Sequence, residues 1–387
     1  MSIKQMENNK IIKKLEADVK LLKDKEGGYF RAGLPRFAAL FGRDSCIFSW
    51  ELINYDPTIA SRTIEILAKL QGKKKDNLRE EEPGKIVHEW HQNPKEYKSL
   101  IWPLPYYGSV DSTPLFIFLC GVYYEKTVDT KWLAKFWPNI LAALHWCEKY
   151  GDLDGDILLE YKRKNPSGLF HQGWKDSRRD HLGLKPPVEL VEVQGYYYAA
   201  LREAAEFALM LKQSVLSKKF AARAENLKKN VIKKFWLPKA NFFATGFYQS
   251  KFPDKRPASN PGHLLFTGIL DGEKKKVEAV VRRLFQKDMW TPYGIRTYSE
   301  LNPDFNPMSY HLGSVWPHDN WIIAQGLKRY GYKKEYGKVK QALVNVYKKL
   351  QEIPELYAVV NGELEKIPVA CSPQAWATGA LLNFILE

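Results

Sequence analysis

A short segment near the middle of the 387-residue chain combines side-chain types that sugar chemistry needs. The segment Gln172–Ser177 reads QGWKDS and lies between two strongly helical regions. An indole such as that of Trp174 stacks on the apolar face of a sugar ring. It also excludes water, which raises a neighbouring carboxyl pKa toward the value that a general acid needs. The segment therefore makes Asp176 a candidate general acid, with a helix-capping aspartate in a surface turn as the alternative.

Composition favours a concave, ring-stacking site over a polyanion-binding surface. Aromatic residues make up 13% of the chain, and many lie in polar loops that contain Gly or Pro. The formal charge is +15, but the lysines are scattered over the polar faces of amphipathic helices. No Arg-rich stripe and no zinc-finger or helix-turn-helix spacing occurs. We therefore expect a carbohydrate substrate and no nucleic-acid partner, while the oligomeric state stays open.

The cysteines and the N-terminal segment predict a cytoplasmic protein. No two cysteines form a C-x-x-C pair, and at least three lie in apolar helical sequence, which predicts buried free thiols. The N-terminus is polar and Lys-rich, without an apolar signal region, and no apolar run is long enough to span a membrane. No membrane partner is expected. The cysteines are Cys46, Cys120, Cys147 and Cys371.

The helical pattern predicts an all-α fold, the (α/α)6 toroid, as a single catalytic barrel over residues 1–387. Apolar helices alternate with amphipathic helices six times, and residues 1–26 supply the first outer helix. Six apolar helices are all buried if they form an inner ring that the amphipathic helices surround. An α-solenoid or a helical bundle is the alternative, but no motif repeats at a fixed period. Little strand is expected beyond a short hairpin at Asn241–Gln249.

A loop rich in polar and aromatic residues precedes each inner helix. Because the inner helices of such a barrel run parallel, the six loops open at one end. There they are expected to form a bowl lined with carboxylates, amides and aromatic rings. The loops are Gly42–Asp44, Tyr106–Asp111, Glu192–Gln194, Asn260–His263, Trp316–Asn320 and Ser372–Trp376.

Candidate sugar-binding residues combine hydroxyl partners with stacking rings. Arg43 and Asp44 are expected to hold hydroxyl groups of the innermost sugar through charge-assisted hydrogen bonds, with an internal ion pair as the alternative. Lys175, next to the candidate acid, would tune its charge or bind a substrate carboxylate. Core packing is the alternative for any single ring, and a structural role at a helix start for any histidine. The other candidates are Phe41, Trp90, Tyr107, Asp111, Trp174, Gln194, His263, Trp316, His318, Gln374 and Trp376.

The segment Gly151–Glu160 reads GDLDGDILLE and has the alternating acidic residues that begin a calcium-binding loop. It departs from an EF-hand because Gly155 comes two residues early and the twelfth position carries no Glu. A structural calcium ion is expected here, and no cofactor for catalysis. A metal-free Asp-rich turn is the alternative. The candidate ligands are Asp152, Asp154, Asp156 and Glu160.

Motifs from Tyr29 to the C-terminus resemble those of one group of enzymes. They are similar to amylo-α-1,6-glucosidase and glycogen-debranching-like proteins, which belong to the same wider set as glycoside hydrolase family 63 and the mannosylglycerate hydrolases. The resemblance implies an inverting, exo-acting hydrolase of a short α-glucoside or related α-glycoside. Family 63 relatives also hold calcium at a loop like Gly151–Glu160. The motifs are FGRDS, PYYGSVDSTPLF, QGWKDS, LVEVQGY, SNPGHLL, NPMSYHLGSVWPHDN and PVACSPQAWA.

The resemblance assigns roles to two carboxyl groups. Asp176 matches the general acid in its W-x-D-S context, and Glu355 in the sequence PELY matches the general base. Inversion implies that the two carboxyl groups lie roughly 6.5–9.5 Å apart, which leaves room for the attacking water. A capping role is the alternative for Glu355. Rival carboxyl groups are Asp44, Asp111, Glu192, Asp319, Glu352, Glu363 and Glu365.

Two further expectations concern the scope of the activity. Many of these relatives carry a β-rich domain before the barrel, whereas this sequence begins shortly before the first barrel loop, so small glycosides are expected rather than large branched glycogen. The alternatives to a hydrolase are a non-catalytic carbohydrate-binding module and a sugar epimerase on the same fold. An epimerase needs a pair of His bases, and no such pair is evident in the sequence.

Overall fold

A computed structural model of the protein describes residues 3–94, 101–176, 182–249 and 251–387; Ser177, at the end of the QGWKDS motif, lies outside these ranges. Within them, α-helices alternate between an inner and an outer ring, so the predicted (α/α)6 toroid is confirmed. The inner helices are α2 (Gly42–Glu51), α4 (Ser112–Thr127), α6 (Val191–Met210), α8 (Leu264–Thr267), α10 (Pro317–Arg329) and α12 (Ala375–Leu386). The outer helices are α1 (Ile3–Leu22), α3 (Pro57–Leu70), α5 (Thr130–Trp146), α7 (Ser214–Phe235), α9 (Lys274–Leu284) and α11 (Lys333–Leu350).

The two rings differ in how much of each helix is buried. Every residue of α12 from Ala375 to Phe384 is buried, because the helix packs against neighbours on all sides. The outer helix α3 buries one stripe only, and it begins with an Asp56 cap that accepts from the Thr58 amide, followed by a proline in the first turn. The inner helix α8 is a single turn, because Gly268 adopts a left-handed conformation (φ 78°) and ends it.

The strands are short and tie loops of the barrel together. Residues 242–243 pair with residues 236–237, while residues 246–248 pair with residues 188–190 and 252–254, so the hairpin predicted at Asn241–Gln249 is wrong. Its two halves pair with different strands, where Phe243 packs on Trp236 and Phe247 packs on Phe235. The strands are β1 (Leu40–Phe41), β2 (Glu89–Trp90), β3 (Val188–Leu190), β4 (Trp236–Leu237), β5 (Phe242–Phe243), β6 (Gly246–Tyr248), β7 (Phe252–Asp254), β8 (Trp290–Thr291), β9 (Gly294–Ile295), β10 (Tyr357–Val360) and β11 (Glu363–Lys366).

The structure also bears on the predictions about the cysteines and about membrane-spanning segments. All four cysteines are buried and unbonded, which confirms that they are free thiols. No helix in the described ranges is both long and apolar enough to cross a bilayer.

Candidate active site

The first turns of the inner helices meet at one end of the barrel, as the sequence predicts. Side chains from the start of one inner helix contact side chains from the start of the next. This end is therefore a bowl built from the loops that precede the inner helices. The contacts join Arg43 with Asp111 (3.0 Å), Glu192 with Asn260 (2.8 Å), His263 with Asp319 (2.7 Å) and the ring of His318 with that of Trp376 (3.7 Å between centroids).

Two glycines let the first loops of the bowl approach the barrel closely. A Cβ atom on Gly42 would lie 2.0 Å from the Val87 carbonyl oxygen, and one on Gly173 would lie 2.3 Å from a methyl carbon of Leu190. Real Cβ atoms do not come this near. Gly42 therefore requires glycine because it faces a backbone carbonyl, whereas a Cβ at position 173 would require the Leu190 side chain to move. The glycines of FGRDS and QGWKDS therefore set the positions of the Arg43 and Asp176 side chains that follow them.

Arg43 links three acidic side chains of the bowl. Its Nη1 donates to both carboxylate oxygens of Asp111 at 3.1 and 3.0 Å, and its Nη2 donates to Asp176 Oδ2 at 2.6 Å. Asp44 lies 3.9 Å from Arg43 Nε. The Asp111 side chain is fully buried, whereas that of Asp176 is 25% exposed. Asp176 is therefore the member of this cluster that a ligand in the bowl reaches most easily.

The cluster holds more acidic groups than its single cation neutralises. Burial raises the pKa of Asp44 to about 7, the guanidinium of Arg43 opposes that rise, and the charges of Asp176 and Glu355 add to it. The positive ends of the parallel inner helices favour ionised carboxylates here, but they do not offset burial. Asp44 is therefore the member of the cluster that holds a proton over part of the neutral pH range.

Glu355 lies in the same bowl, just before β10, and is 2% exposed. Its Oε1 accepts a hydrogen bond from the Tyr310 hydroxyl, and its Oε2 accepts one from the Cys371 amide at 2.9 Å. Burial raises the pKa of Glu355 to about 7, and the charge of Asp176 contributes to that rise. The structure therefore brings together the two carboxyl groups predicted to be catalytic, and it fixes the orientation of Glu355 at both oxygens.

The other wall of the bowl is aromatic. The ring of Trp174 is parallel to that of His263 at 5.9 Å and edge-on to those of His318 (5.0 Å) and Trp316 (5.8 Å). His318 in turn stacks on Trp376. Burial holds the pKa of His318 well below its ordinary value, so its ring is neutral. These five predicted sugar-binding residues form one continuous wall.

Several polar atoms of this wall lack a hydrogen-bond partner among the described residues. They are the indole N–H groups of Trp174 and Trp376 and both ring nitrogens of His318, all buried. A buried polar atom without a partner costs free energy, and ligand hydroxyl groups would remove that cost. The wall is therefore suited to a ligand with many hydroxyl groups.

Two of the predicted sugar-binding residues have structural partners instead. The side-chain amide of Gln194 accepts from the Leu159 amide and donates to the Leu159 carbonyl, both at 2.7 Å, so it holds the end of the acidic segment Gly151–Glu160. The Tyr107 hydroxyl donates to the Leu70 carbonyl at the end of α3. Sequence alone gives no sign of these contacts, because both partners are distant in the chain.

Trp90 and Phe41 lie beside the bowl on the paired strands β1 and β2. The ring of Trp90 is edge-on to Tyr29 at 5.4 Å, and that of Phe41 is edge-on to His88 at 5.3 Å. Neither ring contacts the aromatic wall in the described contacts.

Gln374 caps α12 through its Oε1, which accepts from the Ala377 amide at 3.2 Å.

The Lys175 ammonium group is hydrogen-bonded inside the protein, so the prediction that it binds a substrate carboxylate is not supported. Its Nζ donates to Asn260 Oδ1 and to the Thr297 carbonyl, both at 2.7 Å, and the residue is 5% exposed. Burial lowers the pKa of Lys175 to about 8. Lys175 therefore anchors the loop that carries Asp176, since it ties this loop to the segment before α8 and to the segment after β9.

Sequence analysis missed Tyr310 as a functional residue. Its hydroxyl is the side-chain donor to Glu355, and its ring packs edge-on against Trp316 at 5.0 Å. Tyr310 lies in NPMSYHLGSVWPHDN, one of the motifs that carry the family resemblance, so the sequence did mark its segment. Its pairing with Glu355 was not, because the two residues are joined only by the folded chain.

The acidic segment Gly151–Glu160 folds as a convergent cluster, but an ammonium group lies at its centre. Carboxylate oxygens of Asp152, Asp154 and Asp156 lie within 4.8 Å of one another. Lys251 Nζ lies 2.8 Å from Asp154, 2.9 Å from Asp156 and also against Glu189. Lys251 therefore pairs with predicted calcium ligands and supplies one of the two positive charges that a calcium ion would bring.

Further donors saturate the same carboxylates. The Lys234 ammonium lies 2.6 Å from Asp156, backbone amides of residues 155 and 157 donate to Asp152, and the amide of residue 153 donates to Glu160. A divalent ion would have to displace Lys251 before it could contact Asp154 and Asp156 together. The structure shows these carboxylates in an ion-pair cluster, and the structural calcium ion stays a prediction.

Replacing Lys251 with Met is expected to destabilise the protein. The variant leaves four carboxylates facing one another, at a cost of about 1–3 kcal/mol after discounting for partial exposure of the lysine. Thermal unfolding with and without calcium measures both effects: wild type is expected to be indifferent to calcium, while the variant unfolds at a lower temperature and recovers on calcium addition. Lys255→Met, at a nearby lysine without an ion pair to a described residue, is the control. Stabilisation of wild type by calcium would contradict the account.

Comparisons with known proteins place the chain among glycoside hydrolases. The family model of the mannosylglycerate hydrolase MGH1-like glycoside hydrolase domain matches residues 40–376. A mannosylglycerate hydrolase of Rubrobacter radiotolerans is 25% identical over 192 residues, which cover 49% of this chain and 41% of that protein. Mannosylglycerate hydrolase MGH1 of Selaginella moellendorffii is 41% identical over 76 residues, or 19% of this chain and 15% of that protein. The chain thus matches less than half the length of these relatives.

Solved structures show the same fold over nearly the whole chain. The family 63 mannosylglycerate hydrolase of Thermus thermophilus, in complex with Tris and D-glycerate, superimposes with a TM-score of 0.75. The identity is 14%, and the alignment covers 97% of this chain and 99% of that chain. The same enzyme in complex with glucose gives a TM-score of 0.74. The resemblance to family 63 and the mannosylglycerate hydrolases is therefore confirmed, and these structures support the toroid.

Proposed function

Because the chain belongs to the family of mannosylglycerate hydrolase MGH1-like glycoside hydrolase domains, we propose that it hydrolyses a short α-glycoside with inversion at the anomeric carbon. The observation that carries this proposal is the pair formed by Asp176 and Glu355. The two carboxyl groups come from distant segments and share one bowl, and the charge of Asp176 contributes to the raised pKa of Glu355. One is partly exposed and the other is buried and held at both oxygens, as unlike roles require.

In the proposed reaction, Glu355 is the general base. Each of its oxygens accepts one hydrogen bond and has a further lone pair, so the carboxylate can hold a water molecule. The water attacks the anomeric carbon from the face opposite the leaving group, and its proton passes to Glu355. The bond from the anomeric carbon to the glycosidic oxygen breaks as the new bond forms.

Asp176 is the proposed general acid, and Arg43 is the group that works against its protonation. The ion pair with Arg43 favours the ionised carboxylate, whereas an acid must carry a proton. A proton is available nearby, because burial and the charges of Asp176 and Glu355 raise the pKa of Asp44 to about 7. We propose that binding of the glycosidic oxygen beside Asp176 draws this proton to it, after which the proton passes to the leaving group.

For the substrate, the relatives suggest an α-glycoside of glycerate. They are named mannosylglycerate hydrolases, and the structure of the Thermus thermophilus enzyme was solved both in complex with D-glycerate and in complex with glucose. We therefore propose α-mannosylglycerate or α-glucosylglycerate, with a short α-1,6-glucoside of the glycogen-debranching type as the second choice. A cytoplasmic location, as the free cysteines suggest, belongs to the same proposal.

A glycoside panel with the purified chain tests this function. Release of sugar and glycerate from either glycerate glycoside, faster than release from isomaltose, would support the substrate class. Cleavage of isomaltose alone would support a hydrolase but would show that its substrate is an α-1,6-glucoside and not a glycoside of glycerate. Sugar binding without cleavage would indicate a carbohydrate-binding module, and epimer formation would indicate an epimerase.

Replacing Tyr310 with Phe is expected to move the acidic limb of the pH–rate profile to higher pH. The base must be ionised, so activity rises with pH through the pKa of Glu355, which is about 7. The Tyr310 hydrogen bond lowers this pKa, and its loss should raise the limb by about 1 unit. The measurement is kcat/KM against pH, with Tyr330→Phe as the control because its hydroxyl donates to Asp271 outside the bowl. An unchanged or lowered limb would argue against Glu355 as the base.

A further inference from the structure

The inner ring of the barrel has a gap at the end opposite the bowl. The inner helix α8 stops after a single turn, at Gly268, whereas its neighbours α6 and α10 are 20 and 13 residues long. The later turns of α6 and α10 therefore face an open cavity of about 900 Å3, a volume typical of small-molecule sites. The bowl is built from the first turns of the inner helices, whereas the last turns of α2, α8 and α10 line this cavity. The cavity is therefore separate from the candidate active site.

Three aromatic rings of the cavity wall lie in contact with one another. The ring centroid of Trp50 is 4.9 Å from that of Phe118 and 4.8 Å from that of Phe266, and the two phenylalanine rings are 5.3 Å apart. Trp50 and Phe118 are only partly buried, so the cluster is accessible from the cavity. The face of an aromatic ring is electrostatically negative and attracts cations, most strongly when the cation carries apolar groups that also bury surface.

The carboxyl group of Glu203 lies on the same wall as these rings. Glu203 projects from α6 across Gly121 of α4, where a Cβ atom would come 2.3 Å from Glu203 Oε2. Gly121 is three residues after Phe118, which is about one helical turn. The carboxyl group is therefore about one turn of helix from the aromatic cluster, and both face the cavity.

The wall formed by α4 and α6 carries more negative than positive charge. Neither Glu203 nor Glu125, which also lines the cavity, forms an ion pair with a described residue. Burial raises the pKa of Glu203 to about 7, the charges of Glu125 and Glu206 add to that rise, and Arg202 opposes it only weakly. Arg202 pairs instead with Glu225, at 3.9 Å. A cation in the cavity would therefore meet carboxylates that the protein itself leaves without a counter-ion.

The basic side chains of the cavity already have partners. Most of them are exposed at its rim, and each contacts a carboxylate, an amide or a carbonyl. The ends of α2 and α10 add the negative partial charge of their last carbonyl groups, which disfavours an anion. The contacts are Lys126 with Asn54 (3.1 Å), Arg202 with Glu225 (3.9 Å), Lys228 with the Asp271 carbonyl (2.5 Å), Lys328 with Glu387 (3.1 Å) and Arg329 with the Asp271 carboxylate (2.6 Å).

We propose that this cavity binds an organic ammonium ion, with its apolar groups against the aromatic cluster and its charge beside Glu203. The inference goes beyond the proposed function and does not depend on it, because it uses no residue of the bowl. An inorganic cation would leave the three rings unused, and a neutral apolar molecule would leave Glu203 without a counter-ion. A ligand that carries both a positive charge and apolar groups matches both features.

Calorimetric titration of the full chain with choline and with 3,3-dimethylbutan-1-ol tests this site. The alcohol has the shape of choline with a carbon atom in place of the charged nitrogen, so it measures the apolar contribution alone. The titration is done at pH 8, above the pKa of about 7 for Glu203, so that this carboxyl group is mostly ionised. Wild type is expected to bind choline at least about 10-fold more tightly than the alcohol. Glu203→Gln should remove most of this preference, and Glu203→Asp should retain part of it.

The matched control is Glu206→Gln, because Glu206 is an exposed residue of the same helix and does not line the cavity. This variant should keep the preference for choline. Equal affinity of wild type for choline and the alcohol, or no binding of choline, would overturn the proposal, and this comparison does not depend on the folding of any variant. A preference that survives in Glu203→Gln would place the cation elsewhere and would overturn it as well.

Discussion

Replacing Asp176 with Asn is expected to lower kcat/KM on the natural glycoside by about 10³-fold or more. Asn has nearly the shape of Asp and still accepts a hydrogen bond from Arg43, but it cannot donate a proton to the leaving group as an acid. The fold and sugar binding should therefore persist while turnover is lost. Steady-state kinetics beside a thermal unfolding curve measures both. Unchanged turnover in this variant would rule out Asp176 as the acid.

An activated substrate makes this prediction specific to acid catalysis. Fluoride leaves with little protonation, so Asp176→Asn should retain activity on the matching α-glycosyl fluoride within about 10-fold of wild type. Asp271→Asn is the matched control, because Asp271 also pairs with an arginine, Arg329, at 2.6 Å and lies outside the bowl. An equal loss on glycoside and fluoride would indicate that Asp176 binds sugar, and would make Asp44→Asn the next variant to test.

Replacing Glu355 with Gln is expected to abolish hydrolysis of the glycoside and of the fluoride alike. Both reactions need a base to accept the proton of the attacking water, and a neutral amide cannot do so; the expected loss is about 10³-fold or more. Comparison of the two substrates thus separates the base from the acid. The measurement is kcat/KM for each substrate on purified variants.

A neighbouring glutamate supplies the control for Glu355. Glu352 is three residues earlier but accepts from the Ser372 hydroxyl at 2.6 Å and pairs with Lys366 on the surface. Glu352→Gln should keep full activity on both substrates. If it lost activity and Glu355→Gln kept it, the base would be misassigned.

The toroid and much of the bowl could be predicted from the sequence because they depend on local patterns. Apolar runs such as α12 need burial on all sides, and amphipathic runs such as α3 need it on one, so an inner and an outer ring follow. The polar and aromatic loops before the inner helices follow as the open end. Asp176 and Trp174 were predicted as site residues in the same way, because they lie within three residues of each other in one motif.

The rest of the site could not be predicted, because it depends on contacts between distant segments. Lys251 contacts the acidic loop from a strand region far along the chain, and the alternating acidic pattern of the loop gives no sign of this ammonium group. The amide of Gln194 is used by Leu159, and the ammonium of Lys175 by Asn260 and Thr297. A polar side chain in a loop of the bowl can either contact a bound sugar or hydrogen-bond to the protein itself. Only the folded chain shows which of the two it does.

The stereochemistry of the first product tests the central claim most directly. Hydrolysis of the α-glycoside is followed by proton NMR at the anomeric signals, fast enough to precede mutarotation. The account predicts that the β-anomer of the free sugar appears first, because the water activated by Glu355 attacks from the face opposite the leaving group. The α-anomer is then expected to form later by mutarotation. Initial release of the α-anomer would contradict it, since retention requires a carboxylate nucleophile and a closer pair of carboxyl groups.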